Sequence, residues 1–205
     1  MNNPWDEIQL NDYENHMKSD SVYQLQALSN IMKKQLYDFL VSSIMILGIT
    51  GGNGLEHINT RIIKHVVGVD INKDYLDECR RRYSALEGVL DLVCVDLTDA
   101  ESTLPHADLV VANLLIEYIG YECFQVVINK VRPKYVSCAI QIDTDESFVS
   151  DSPFLHLFDK LDSVHHHIEE SALTSAMREI DYHLIGTSEV LLPNGKKLIR
   201  LDYGR

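Results

Sequence analysis

The segment that decides the fold is Ile44-Met45-Ile46-Leu47-Gly48-Ile49-Thr50-Gly51-Gly52-Asn53-Gly54-Leu55-Glu56. Its apolar run is typical of a strand buried on both faces, and the glycine-rich turn after it leads into a segment with helical spacing. Glycines allow unusual backbone angles and let a ligand approach main-chain amides, while a helix N-terminus favours a carboxylate or phosphate. We therefore expect a nucleotide-like ligand at the carboxyl edge of a parallel sheet.

The spacing within this turn excludes two common nucleotide-binding motifs. Counted from Gly52 and Gly54, the third glycine of the dinucleotide fingerprint G-x-G-x-x-G would fall at His57. No Lys-Ser or Lys-Thr pair follows the turn, as the phosphate-binding loop of nucleoside-triphosphate enzymes requires. We therefore expect that the turn holds a group other than phosphate.

Short apolar runs alternate with amphipathic segments along the chain. The predicted parallel strands are 44–47, 66–69, 89–95, 109–112 and 135–142. The predicted helices are 5–18, which an ordered arm could replace, 21–40, 55–61, 73–83, 118–131 and 168–178. Near the end, 182–192 and 196–203 flank Asn194-Gly195 and predict an antiparallel hairpin. This order predicts an α/β fold, a parallel sheet covered by helices and closed by a hairpin.

Polar residues follow three of the predicted strands. Asp70 ends the second strand, where a carboxylate can accept hydrogen bonds from both hydroxyls of a ribose. Asp96 follows the third strand, where an acid can accept from an exocyclic amine while Leu97 packs against an adenine face. Asn113 ends the fourth strand. Since the carboxyl ends of parallel strands meet at one sheet edge, these residues are expected to converge on one ligand.

This arrangement, over about residues 43–203, resembles the class I S-adenosylmethionine-dependent methyltransferases. The resemblance implies a Rossmann-like three-layer sandwich with a seven-stranded, mainly parallel sheet. It further implies a single domain over residues 1–205, with 1–40 as a helical arm or lid and 43–205 as the core. The cofactor roles that it implies are binding of the methionine part by Gly48, Thr50 and Gly52, of the ribose by Asp70, of adenine by Asp96 and Leu97, and a place beside the reacting methyl group for Asn113 and Leu114.

The resemblance implies an enzyme that moves the methyl group of S-adenosylmethionine to an acceptor by in-line displacement. Two alternatives stay open. Methylation of an amine on a protein is suggested by Asn113-Leu114-Leu115, although a structural turn explains Asn113 equally well. A non-catalytic module that binds the cofactor is suggested by Ile46, because the family usually has an acid two positions before the first glycine. Thr50 also departs from the family, which often has a glycine there.

The catalytic candidates also come from the resemblance. The sulfonium methyl group is already activated, so the protein mainly has to hold the acceptor in line with it. If a base is used, the family's acceptor lies between the loop after the fourth strand and the N-terminal arm, which gives Glu117, Tyr118 and His16. Tyr13 shares a helical face with His16 and is predicted to contact the cofactor as part of a lid, with plain packing as an equal alternative.

Adjacent histidines fit a loop better than a metal site. His165, His166 and His167 cannot all face one ion from a helix or strand, so a solvated loop is expected and no metal is predicted. Four cysteines form no C-x-x-C pair and are expected to be reduced, buried thiols: Cys79, Cys94, Cys123 and Cys138.

Composition restricts the partners. The chain has 31 acidic and 18 basic residues and a formal net charge of −13, a field that repels nucleic-acid backbones. The sequence shows neither an apolar run long enough for a membrane span nor the pattern of a secretory signal, so a cytoplasmic location is expected. The predicted partner is therefore a small-molecule methyl acceptor, and neither nucleic acid nor a membrane is expected as a partner. The sequence leaves open whether the chain is a monomer or a homodimer.

Overall fold

A computed structural model describes residues 3–142 and 155–205. In these ranges seven strands form one sheet: β1 Ser43–Leu47, β2 His65–Asp70, β3 Leu90–Cys94, β4 Leu109–Asn113, β5 Tyr135–Ile142, β6 His183–Leu191 and β7 Lys197–Gly204. The α-helices are α1 Leu10–Lys18, α2 Gln24–Tyr37, α3 Lys73–Arg82, α4 Ile116–Val131 and α5 Glu170–Glu179. Short 3-10 helices cover Pro4–Asp6, Leu55–His57, Ser84–Leu86 and Leu155–Ser163. No described helix is both long and apolar enough to cross a membrane.

The strand order across the sheet is β3-β2-β1-β4-β5-β7-β6. Strands β1 to β5 pair parallel with one another, and β7 pairs antiparallel with both β5 and β6. The predicted fold, a seven-stranded and mainly parallel sheet with a terminal antiparallel hairpin, is confirmed. Because β1 lies between β2 and β4, the strand order reverses there, and a crevice for a ligand is expected at the carboxyl end of β1.

The period of two in β1 divides the core between the two faces of the sheet. Ile44 and Ile46 pack with residues of α2 and α3, whereas Met45 and Leu47 pack with residues of α4 and α5. All four side chains are at most 4% exposed. Burying a side chain of this size contributes about 1.5–3 kcal/mol, so helices on both faces hold this strand in place. The three-layer arrangement thus follows from a strand whose residues from Ile44 to Leu47 are all apolar.

Two expectations about local structure are wrong. The helix predicted over 55–61 is only a 3-10 turn at Leu55–His57, because the Asn59 side chain accepts from the Arg61 N–H at 3.1 Å and forms a local turn that competes with a helix. Strand β3 is only partly buried, since it is the edge of the sheet and pairs with β2 alone. Cys94 is therefore exposed instead of buried. Cys123 is only half-buried, and all four thiols are free.

The N-terminal arm, residues 3–18, is held on α3 and the loop before it. The Asn72 amide donates to the Trp5 carbonyl at 2.9 Å, and the Tyr75 hydroxyl donates to the Ile8 carbonyl at 2.7 Å. Both terminal nitrogens of Arg82 donate to the carboxylate of Glu14 in a fork-shaped ion pair. A methyl group added to Gly51 would collide with this pair, so the arm lies directly over the glycine turn.

Candidate active site

A cavity of about 240 Å³, called here the main cavity, lies at the carboxyl ends of β1 to β4. It is therefore placed where the strand order reverses, as the topology requires. Eight of the residues predicted from the sequence line it: Tyr13, Gly48, Thr50, Asp70, Leu97, Asn113, Leu114 and Tyr118. The sheet edge and the N-terminal arm thus bring together residues that are far apart in the chain.

Asp70 is the buried charge of this cavity. Its side chain accepts from the Thr50 N–H at 2.8 Å and from the Asn72 N–H at 3.0 Å. Burial raises the pKa of the Asp70 carboxyl group, and these backbone donors oppose the rise. A carboxylate offers about four acceptor sites, so Asp70 keeps capacity for hydroxyl groups of a ligand. Burying this carboxyl group costs free energy, and a role in ligand binding explains why Asp70 lies in the cavity wall.

The two predicted glycine positions of the turn have different surroundings. Gly48 has φ +67° and lines the main cavity, and a Cβ there would lie 3.2 Å from Leu115 Cδ1. Gly52 has φ +91°, but a Cβ there would meet Tyr83 and Cys79 on the side of α3. Gly52 was predicted to bind the cofactor, but it does not line the main cavity. Its lack of a side chain instead lets the turn pack against α3.

Thr50 has φ +49°, the left-handed region that a β-branched residue rarely adopts. The expected result of Thr50→Gly is a rise of about 0.5–1 kcal/mol in the free energy of unfolding, because the relief of about 1–2 kcal/mol of strain exceeds the extra chain entropy of glycine. Urea unfolding measures it. Thr60→Gly is the control, since Thr60 is exposed without a positive φ and should lose stability.

The side chains of two residues at strand ends form hydrogen bonds within the chain. Asp96 accepts from the Thr98 N–H at 2.9 Å and from its hydroxyl at 2.7 Å, and it does not line the main cavity, whereas Leu97 and Thr98 do. The Asn113 amide exchanges two hydrogen bonds of 2.9 Å with the buried Gln35 amide of α2. Asn113 thus contributes to the wall with its amide held by α2, whereas Asp96, whose Oδ1 accepts both hydrogen bonds from Thr98, lies outside the wall.

Some lining residues had no signal in the sequence. Trp5 and Tyr75 line the main cavity, and so do Asn3, Ile119 and Val164. Trp5 contacts Tyr118 edge to face, with ring centroids 4.9 Å apart, and Tyr13 at 5.8 Å. These contacts join the arm to the start of α4, which neither periodicity nor spacing could show.

A second cavity of about 60 Å³ adjoins the main cavity. The three catalytic candidates His16, Glu117 and Tyr118 all line it. Its wall shares Trp5, Tyr13, Leu114 and Tyr118 with the main cavity. The three histidines 165–167 lie in a loop, as predicted, but they line this second cavity as well. The described part of the chain holds no cluster of three or more His, Cys, Asp or Glu side chains fit to bind a metal.

Glu117 and the histidine loop are fixed to each other at the second cavity. The Glu117 side chain is 5% exposed and its Oε1 accepts from the Gln141 N–H at 2.9 Å. The Glu117 carbonyl accepts from the His166 N–H at 2.6 Å. The His166 ring lies over Gly120, which interrupts α4 with φ +72°. The first turn of α4 therefore presents Glu117 to the cavity while the loop covers it.

His16 is buried against Phe158, with ring centroids 4.6 Å apart. Burial, assisted by the positive charge of Lys196, lowers the pKa of His16 to about 4. The imidazole is therefore neutral at pH 7 and able to accept a proton. In the unfolded chain a histidine titrates near 6.5, so below that pH protons favour the unfolded state.

Because the pKa of His16 is lowered, the free energy of unfolding is expected to fall as the pH is lowered. Between pH 6.5 and pH 4 the shift at His16 lowers the free energy of unfolding by up to about 3 kcal/mol, a loss that His16→Gln should remove. Urea unfolding at a series of pH values measures it. His183→Gln, at an exposed position of β6, should keep the wild-type slope. Equal slopes for wild type and His16→Gln would contradict the shift.

Comparisons with known proteins agree with this geometry. A protein-family model described as a methyltransferase domain matches residues 44–134. A search of curated protein sequences finds no match. Among solved structures, magnesium protoporphyrin IX methyltransferase from Synechocystis PCC 6803 with bound SAH has TM-score 0.69 and 11% identity, over 95% of this chain and 93% of that one.

Two further structures have the same fold. The N-methyltransferase NodS from Bradyrhizobium japonicum WM9, in complex with S-adenosylhomocysteine, has TM-score 0.67 and 10% identity over 96% of this chain and 97% of that one. The cyclase SpnF has TM-score 0.67 and 8% identity over 94% and 85%. The chain therefore has the class I methyltransferase fold. With the match to the methyltransferase domain, this confirms the resemblance to S-adenosylmethionine-dependent methyltransferases.

Proposed function

We propose that the chain is an enzyme that binds S-adenosylmethionine in the main cavity and transfers its methyl group to a small acceptor in the second cavity. The observation that carries the proposal is the wall shared by the two cavities, formed by Trp5, Tyr13, Leu114 and Tyr118. Donor and acceptor on either side of this wall would meet at the carboxyl end of β4.

The main cavity fits the cofactor in size and chemistry. About 240 Å³ corresponds to roughly 16–24 water-sized positions, enough for a nucleoside with an amino-acid chain. Asp70 would accept from the ribose hydroxyls, and Leu97 would pack against the adenine. Gly48 and Thr50 would hold the methionine part at the turn, where the absence of a Cβ at Gly48 allows close approach.

The bound cofactor supplies an activated methyl group, so the residues of the chain mainly position the acceptor and exclude water. Tyr13 and Trp5 of the arm line both cavities. His16 lines the second cavity and is neutral at pH 7, so it can accept a hydrogen bond from the acceptor.

The small-molecule acceptor is favoured over a protein or a nucleic acid. The second cavity is small and covered by the arm and the histidine loop, and the net charge of −13 disfavours nucleic acid. The Asn113 side chain, which suggested a protein amine, is held by Gln35. We include in the proposal a single domain with residues 1–40 as its lid, a cytoplasmic location and a monomer or homodimer.

The non-catalytic alternative is supported by one position. Ile46 is 4% exposed and belongs to the core on the α2 side, so the acid usual in the family is replaced by an apolar side chain. A module of this kind would bind the cofactor without consuming it. The similarity to a structure named as a cyclase is a second reason to measure turnover and binding separately.

Calorimetry and a turnover assay test the proposal. We expect S-adenosylmethionine and S-adenosylhomocysteine to bind, and ATP and NAD, as nucleotide controls, not to bind. The release of S-adenosylhomocysteine should rise when an extract of small metabolites is added. Absence of binding at millimolar cofactor would overturn the proposal. Binding without turnover in any extract fraction would establish the non-catalytic module instead.

A further inference from the structure

The second cavity, although small, has a carboxyl group in its wall. Glu117 places a buried carboxyl group in the wall, and its attachment to the Gln141 N–H fixes its orientation. Among the described lining residues there is neither Lys nor Arg, and the groups able to carry a positive charge are His16 and the three histidines 165–167. His16 is neutral at pH 7. Lys196, whose positive charge helps to lower the pKa of His16, does not line the cavity. The wall is therefore suited to a positive group and unsuited to a carboxylate or phosphate.

Aromatic rings form much of the remaining wall. Trp5, Tyr13, Tyr118 and Phe158 line the second cavity together with the ring of His165. Tyr118 contacts Trp5 and His165 edge to face, with centroid distances of 4.9 and 5.9 Å. The negative faces of such rings attract a cation, and most strongly where water is excluded. The rings and the carboxyl group of Glu117 thus favour the same ligand charge.

The volume limits the size of the ligand. About 60 Å³ corresponds to roughly four to six water-sized positions. With the arm and the histidine loop in place, the cavity accommodates an acceptor, or the reacting end of one, with about half a dozen non-hydrogen atoms.

We propose that the acceptor is a small aliphatic amine, bound in its ammonium form between Glu117 and the aromatic rings of Trp5, Tyr118 and Phe158. This proposal rests on the proposed function. Before methylation the ammonium group loses one proton to solvent. The nitrogen lone pair then forms the N–C bond, the electron pair of the broken C–S bond stays on sulfur, and the product is an N-methylammonium ion with S-adenosylhomocysteine.

Three probes with four carbon atoms each test the charge preference. Butylamine, 1-butanol and butyrate are titrated by calorimetry into protein saturated with S-adenosylhomocysteine at pH 7, where the amine is protonated. We expect butylamine to bind at least about tenfold more tightly than 1-butanol, and butyrate most weakly. Glu117→Gln keeps the oxygen that accepts from Gln141, and it should reduce the preference for butylamine to less than about threefold.

Glu122→Gln is the matched control, because Glu122 lies on the same helix and is exposed. It should retain the wild-type preference. Equal affinity for the three probes, a preference for butyrate, or no binding of any probe to the cofactor-loaded wild type would overturn the amine proposal while leaving the proposed function intact. Failure of S-adenosylhomocysteine to bind would overturn both. The wild-type comparison decides the matter even if Glu117→Gln fails to fold.

Discussion

Asp70→Asn is expected to weaken the binding of S-adenosylmethionine by about 10- to 100-fold. The substitution replaces one acceptor oxygen by a donor, and a hydrogen bond to a charged group is worth about 1.5–3 kcal/mol. The Asn72 and Thr50 N–H groups compete for the remaining oxygen, which leaves fewer acceptor sites for a ribose. Calorimetry measures the affinity, and thermal unfolding shows whether the variant is folded.

Asp108→Asn is the matched control for this variant. Asp108 accepts from the Ser43 hydroxyl at 2.9 Å and from Lys134 at 3.0 Å, at the opposite end of the strands. Its loss should lower stability and leave the affinity for the cofactor within about twofold. An Asp70→Asn variant that is folded and binds as tightly as the wild type would contradict the assignment of the ribose site.

Gly48→Ala is expected to lower the free energy of unfolding by about 2–3 kcal/mol and the cofactor affinity at least about tenfold. Left-handed backbone costs an alanine about 1–2 kcal/mol, and the added methyl group would lie 3.2 Å from Leu115 Cδ1. Relief of that contact displaces the loop that lines the main cavity. Urea unfolding and calorimetry measure the two effects.

Gly88→Ala separates the two causes. Gly88 has φ +83° with no atom within 4 Å of an added Cβ, and it lies outside the cavities. It should show the backbone cost of about 1–2 kcal/mol alone, with unchanged cofactor affinity. If the two variants bind the cofactor equally well, Gly48 has no special part in the site.

The elements that the sequence predicted well are those with a strong local signal. The apolar run of β1, its glycine turn and the acid at the end of β2 required a parallel sheet, and parallel strands bring their carboxyl ends together. Gly48, Thr50 and Asp70 could therefore be placed at one cavity before any contact was known. The terminal hairpin followed in the same way from Asn194-Gly195.

Other features depend on tertiary packing, which local sequence patterns do not contain. The position of β3 at the sheet edge decides the exposure of Cys94, and strand order cannot be derived from the composition of one strand. Asp96 and Gly52 fit the family pattern, yet hydrogen bonds with Thr98 and packing against α3 involve them elsewhere. The pairing of Asn113 with Gln35 joins residues 78 positions apart.

The fork-shaped ion pair between Glu14 and Arg82 links two binding events. It holds the arm over the glycine turn, and Trp5 and Tyr13 of that arm belong to the walls of both cavities. If a ligand in one cavity stabilises this position of the arm, it raises the affinity of the other cavity for its own ligand. The second ligand then raises the affinity for the first by the same factor, because such coupling is reciprocal. On the proposed function, methyl donor and acceptor would therefore bind cooperatively through the same N-terminal arm.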